Sequence, residues 1–271
     1  MMVYAISIDH LTKKYNEKTA VDHVTFSIKK GELFGLLGVN GAGKTTLINM
    51  LCGLTSPTSG CASMLGYDIQ INQKQVKEII AVSPQETAIA PNLTIRENLE
   101  LMAGIHGYSK TEIKEKTANI ITAFSLQPYE NQKGKTLSGG WQRKLSIALA
   151  LISEPKILFL DEPTTYLDIT YQVEILDMLT DLNKKYGTTI VMVLHDINLS
   201  ARYADHIFAL HKGKLVAEGT PEEVITSSLI KEIFGLNCIV IQDPISDSPS
   251  VIPIGRYHNK VEMLQEPLPI G

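Results

Sequence analysis

The segment Gly38-Val39-Asn40-Gly41-Ala42-Gly43-Lys44-Thr45-Thr46 constrains this chain more than any other stretch. It sits between an apolar run, Leu33 to Leu37, and a helical pattern opening at Thr45. The spacing fits G-x-x-x-x-G-K-[ST] in the strand, loop, helix order that the motif requires. Its glycines let backbone N–H groups turn inward around a phosphate, and the helix N-terminus adds partial positive charge. Lys44 can then reach β- and γ-phosphates, and the Thr45 hydroxyl can ligate Mg²⁺. The bland alternative is a glycine-rich turn with a chance lysine, and the strand-to-helix context argues against it. Gly38, Asn40, Gly41, Ala42, Gly43, Lys44, Thr45 and Thr46 are therefore candidate nucleotide-binding residues.

Such a loop needs a parallel sheet behind it. Short apolar stretches alternate with helical patterns along most of the 271 residues, which predicts an α/β fold with a mostly parallel sheet. The opening differs: Val3 to Ile8, Val24 to Ile28 and Glu32 to Leu37 are divided only by turn-like residues and predict a small antiparallel sheet leading into the main one. Between about Pro91 and Gly134 the strand signal disappears. Two helices are expected there, opened by the capping boxes Thr94 with Glu97 and Ser109 with Glu112. Ile113, Thr117, Ile120, Ile121 and Phe124 give the second helix one apolar face. The expected organisation is one domain over residues 1–242, with a helical insertion at about 91–152. Five of the twelve prolines fall within 243–271, which is read as an extended, irregular tail.

Composition narrows the partners. The 25 basic residues stand against 29 acidic ones, a net charge of −4, which argues against nucleic acid as an electrostatic partner. No apolar run approaches the ~18 residues of a membrane-spanning helix. Met1 to Ala5 lack the basic segment and cleavage site of a secretory signal. Cys52, Cys61 and Cys238 form no paired or zinc-like spacing. The expected compartment is the reducing cytosol.

A second chemical feature follows Ile157 to Leu160, an apolar strand ending in Asp161-Glu162. Carboxylates at that edge of a parallel sheet lie where ligands bind. Asp161 suits Mg²⁺, and Glu162 suits the orientation or deprotonation of an attacking water. Alone the pair is equally an acidic helix cap; beside the glycine-rich loop it implies hydrolysis of a nucleoside triphosphate. Three further residues stay open on the residues alone. His195, after Ile190 to Leu194, is either a γ-phosphate contact or a polar cap. Gln85 either holds a metal-bound water or lies in a loop, and Tyr15 either stacks on a base or is an ordinary aromatic.

Leu137-Ser138-Gly139-Gly140-Trp141 opens a helix shortly before the Asp161-Glu162 strand and resembles the signature segment of ABC transporter ATPases. The resemblance runs from about Ala5 to Gly255 with the family's motifs in order. It implies that Ser138, Gly139 and Gly140 form a second phosphate-binding surface, offered across a head-to-tail dimer to the partner's ATP. By the same resemblance Tyr15 is the adenine-stacking aromatic, Gln85 links magnesium and the attacking water to the helical subdomain, and His195 is the switch histidine. Glu162 matches the catalytic glutamate, and Asp168 lies in the loop that the family places at its dimer interface. ATP and Mg²⁺, a second ATPase subunit, a transmembrane permease and a peripheral cytoplasmic location are what the resemblance implies.

Two residues depart from the family pattern. Trp141 stands where a glutamine is usual, and Tyr166 is larger than the small residue often found before Leu167-Asp168. The text also changes character along the chain. Gly38 to Thr58, Asn92 to Lys135 and the signature resemble drug-exporter ATPases. Thr164 to Asp168, Val193 to Leu199, Arg202 to Asp205 and Phe234 to Leu236 resemble ATPases of iron-siderophore and vitamin B12 importers. The change falls near Pro155 to Thr164, from either a fused chain or a divergent branch. The leading expectation is a transporter ATPase. The alternative is a soluble ABC ATPase of DNA repair or translation, whose tandem cassettes and basic extensions do not appear. A GTPase or small-molecule kinase is more distant, because Asn183-Lys184-Lys185-Tyr186 ends in tyrosine where a guanine-reading motif needs aspartate.

Overall fold

Alternating burial marks Val24 to Lys29 of the second strand, as a sheet with one covered face requires. In the computed structural model, which describes residues 4–255, β1 (Tyr4–Tyr15) and β2 (Lys18–Lys29) pair antiparallel. The third expected member of this sheet, β3 (Leu33–Leu37), leaves it. All five of its residues are buried, so it has no solvent face to offer and lies inside the main sheet between parallel neighbours. After α1 (Lys44–Leu51), β4 (Ser59–Met64) and β5 (Tyr67–Asp68) return to the hairpin and complete a four-stranded antiparallel sheet, β2-β1-β4-β5.

Next come α2 (Gln73–Ile79), β6 (Ile80–Ser83) and then α3 (Ile95–Ile105), α4 (Lys110–Ala123) and α5 (Gly139–Leu151). Both capping boxes form: Thr94 and Ser109 accept from the backbone N–H of Glu97 and Glu112, whose carboxylates accept in return. Each such cap is worth about 0.5–2 kcal/mol. The inserted helices share one core with the sheet. Ile95, Leu99, Ile121, Phe124 and Leu145 pack in the same cluster as Leu158, Leu160 and Ile190, so the insertion is seated on the sheet and does not hang from a linker.

The chain continues through β7 (Ile157–Leu160), α6 (Ile169–Tyr186), β8 (Thr189–Val193), α7 (Ile197–Tyr203), β9 (His206–His211) and β10 (Lys214–Gly219). The main sheet has the order β10-β9-β3-β8-β7-β6, all parallel except β10. Because β3, β6, β7 and β8 are parallel neighbours, the residues after each of them emerge at one edge. That edge collects the glycine-rich loop, Gln85, Asp161-Glu162 and His195.

The end of the described chain corrects the sequence reading. After α8 (Pro221–Val224) and α9 (Ser227–Phe234), β11 (Cys238–Gln242) pairs with β12 (Pro249–Pro253), so the expected boundary at 242 falls inside a hairpin. The Asp243 carboxylate accepts from the N–H groups of Ile245 and Ser246 and forms the turn. Pro249 and Pro253 occupy the two ends of an edge strand, where a missing N–H is tolerated. The Asn198 side chain then ties β12 to α7, accepting from Val251 N–H at 2.7 Å. The rest of the expected tail, 256–271, lies outside the described residues. Among the described residues no helix is long and apolar enough to cross a membrane.

Candidate nucleotide site

The glycine-rich loop folds back over the start of α1. Gly43 has φ 109°, and a Cβ there would stand 2.4 Å from the Ala20 carbonyl oxygen, so only glycine fits. The Lys44 side chain is buried under the loop and donates to the carbonyls of Gly38 (2.7 Å) and Val39 (3.1 Å). Burial lowers the Lys44 pKa, and the charges of Glu162 and Asp161 pull it back. A cavity of about 580 Å³ opens above the loop. Its wall takes Asn40, Gly41, Gly43, Lys44, Thr45 and Thr46 from the loop, Lys18 and Ala20 from β2, and Gln85, Glu162, Thr165, Tyr166 and His195 from the sheet edge.

The candidate catalytic groups meet on one carboxylate. Glu162 leaves β7 with φ 53°, a left-handed turn. Its Oε1 lies 2.5 Å from His195 Nε2. Its other oxygen accepts from Gln85 Nε2 at 2.7 Å and from the Thr165 hydroxyl at 3.0 Å. A carboxylate held by three polar side chains has a fixed direction, which is what a base aimed at one water molecule needs. Asp161, one residue earlier, is half-buried and its Oδ1 is buried without a hydrogen-bond partner. Burial pushes its carboxyl above the ordinary range, Glu162 adds to the shift, and Lys44, Arg143 and His195 oppose it. An orphaned, hard oxygen donor beside a cavity that also presents the Thr45 hydroxyl fits a magnesium ion.

Other expected residues lie elsewhere. Ser138 is the N-cap of α5 but makes no side-chain cap bond, and it is exposed together with Gly139. Gly140 is buried, and a Cβ there would meet the Tyr171 ring at 2.6 Å. None of the three lines the cavity. Asp168 caps α6 by accepting from the Tyr171 N–H. Tyr15, 48% exposed, pairs across the hairpin with Lys18, which does line the cavity, while Tyr15 itself does not. Tyr166 is 94% exposed at φ 63° and stands at the cavity mouth. Trp141 packs on Tyr129 with ring centroids 4.4 Å apart, so its bulk is absorbed inside the helical insertion.

Sequence reasoning missed Arg143 and Thr165. Thr165 sits three residues after Glu162, a spacing that permits a side-chain contact. Arg143 is 3% exposed, and the signal available was its place in a pair of adjacent basic residues leading into the largely apolar run Leu145 to Leu151. Burial lowers its guanidinium to about 10, opposed by Asp161 and Glu162, so it stays charged at neutral pH.

Comparison with known proteins agrees with this geometry. The sequence profile of the ABC transporter family matches residues 21–165. The chain is 39% identical to the probable siderophore transport system ATP-binding protein YusV of Bacillus subtilis (strain 168), over 94% of this chain and 95% of that protein. It is 37% identical to the probable multidrug ABC transporter ATP-binding protein YbhF of Escherichia coli (strain K12), over 82% of this chain and 38% of that longer protein. Among solved structures it is similar to a dimeric ATP-binding cassette in a post-hydrolysis state with ADP and phosphate. The TM-score is 0.70 and the identity 31%, over 79% of this chain and 98% of that one.

Proposed function

The chain belongs to the ABC transporter family as an ATP-binding, ATP-hydrolysing subunit, and from that premise we propose that two copies close head to tail over two ATP molecules to drive a transmembrane permease. In this reading the loop from Gly38 to Thr46 cradles the triphosphate and Tyr15 stacks on the adenine. Thr45, Asp161 and Gln85 hold Mg²⁺, which when bound neutralises charge on the β- and γ-phosphates. Glu162 takes the proton of the attacking water, and His195 holds Glu162 and the γ-phosphate in register. Ser138, Gly139 and Gly140 cover the nucleotide of the other copy, with Asp168 beside them at the interface. The observation that carries the proposal is the convergence of Gln85, Thr165 and His195 on Glu162 above the Lys44 loop.

The cargo reading favours uptake of an iron-siderophore chelate. The siderophore-type relative aligns over nearly the whole of both chains, including the 155–164 stretch where the text changes character. That continuity supports a divergent branch over a fused chain, and the match over nearly the full length of the siderophore-type protein, against 38% of the multidrug-type one, supports an importer permease over an exporter. The subunit would then sit at the cytoplasmic face of the membrane through its permease. Affinity purification of the tagged chain from detergent-solubilised source membranes tests this: a siderophore-type permease is expected, and a drug-exporter permease as the sole membrane partner overturns the cargo assignment.

A further inference from the structure

Arg143 is a buried cation with no carboxylate within ion-pair distance among the described residues. Its guanidinium is satisfied by backbone carbonyls from two separate segments. Nη1 donates to Pro84 and, at 3.3 Å, to Gln85. Nη2 donates to Asp161 at 3.0 Å, and Nε to Pro163 at 3.1 Å. The segments are the exits of β6 and β7, the places where Gln85, Asp161 and Glu162 leave the sheet. Burying an unpaired guanidinium is costly, and a planar fork with several fixed donors is the side chain able to bridge two such segments at once.

The helix that carries Arg143 begins at Ser138-Gly139-Gly140. Its next residue, Lys144, is also buried and pairs with Glu174 on α6, so α5 is fastened on two sides. We propose that Arg143 is a positioning residue that locks the Gln85 loop and the Asp161–Pro163 segment of one nucleotide site to the helix presenting Ser138–Gly140 to the other. A shift of the two sheet exits on nucleotide binding is thereby passed to the surface offered to the second ATP. The coupling rests on the two-subunit reading above; the lock itself lies within one chain. A lysine at this position keeps the charge but gathers its three donors on one nitrogen, too compact to span both segments as the planar fork does.

The test is steady-state hydrolysis by the purified full chain carrying Arg143→Lys, with Arg143→Gln as a second variant if the first fails to give a cooperative thermal melt. Fluorescent-ATP affinity should stay within about twofold, because the Lys44 cradle is untouched. The kcat should fall about tenfold or more, as expected when reacting groups are misplaced. The Mg²⁺ concentration for half-maximal rate should rise, and any sigmoidal dependence on ATP should flatten. A role confined to stability predicts a lower melting temperature with wild-type kcat, Mg²⁺ requirement and ATP dependence below it, and that result overturns the proposal. Ser138→Arg separates the two claims. If it hydrolyses ATP like wild type, the two-subunit reading fails and the coupling with it. If it is inactive while Arg143→Lys behaves as wild type, the lock alone fails.

Discussion

The proposed function gives this molecule two phosphate-binding surfaces, and they differ in almost everything else. The loop from Gly38 to Thr46 is concave, carries a buried lysine, and faces a carboxylate held by three polar side chains. The Ser138-Gly139-Gly140 turn is a bare helix N-terminus: two of its residues are exposed, its serine makes no cap bond, and it lines no part of the cavity. The first can bind a triphosphate and has the groups to hydrolyse it. The second offers N–H groups and a hydroxyl without a cavity, which the two-subunit proposal makes half of a site. Under the two-subunit proposal, that contrast makes the active unit larger than one chain.

Glu162→Gln breaks the comparison most strongly. Removing the base should lower turnover by ~10² to 10⁴-fold while leaving ATP binding intact, checked by steady-state rate and equilibrium binding. An unchanged rate would remove Glu162 from the role of water-activating residue. Ser138→Arg should lower turnover by about 10²-fold, the scale of lost electrostatic stabilisation, with single-chain ATP affinity unchanged. Lys44→Ala should weaken ATP binding by about 10- to 100-fold through loss of a charge-assisted contact, measured by titration with a fluorescent analogue. Wild-type affinity in that variant would mean that the loop is not the cradle.

The smallest effect is a shift with pH. Asp161 is raised by burial and by the neighbouring Glu162 charge, so it protonates at higher pH than an ordinary carboxylate. Mg²⁺-dependent nucleotide binding should therefore weaken as pH falls through that raised range. Glu162→Gln removes one of the two causes and should move the acid limb to lower pH. A limb that stays in place or moves up contradicts the assignment of the metal to Asp161.

Most of the nucleotide loop and the helical insertion were legible in the residues, because they depend on local chemistry. Gly43 and Lys44 announce a loop, and Thr94 with Glu97 or Ser109 with Glu112 announce a helix start, from neighbours alone. What depends on distant partners was not legible. β3 follows the first hairpin so closely that only its full burial between parallel neighbours shows which sheet it joins. β12 hides among prolines because its pairing with β11 and its tie to Asn198 are tertiary facts. His195 and Gln85 carried no local signal that both would reach Glu162. Arg143 was visible as a basic residue, but its burial and its carbonyl partners were not.

In the proposed function one chain carries a full cradle and half of a lid. Sedimentation velocity of the Glu162→Gln chain, with and without ATP and Mg²⁺, tests it most directly. The account predicts a monomer without nucleotide, a dimer with ATP, and a monomer again when Ser138→Arg is added. A Glu162→Gln chain that binds ATP and remains monomeric throughout contradicts it.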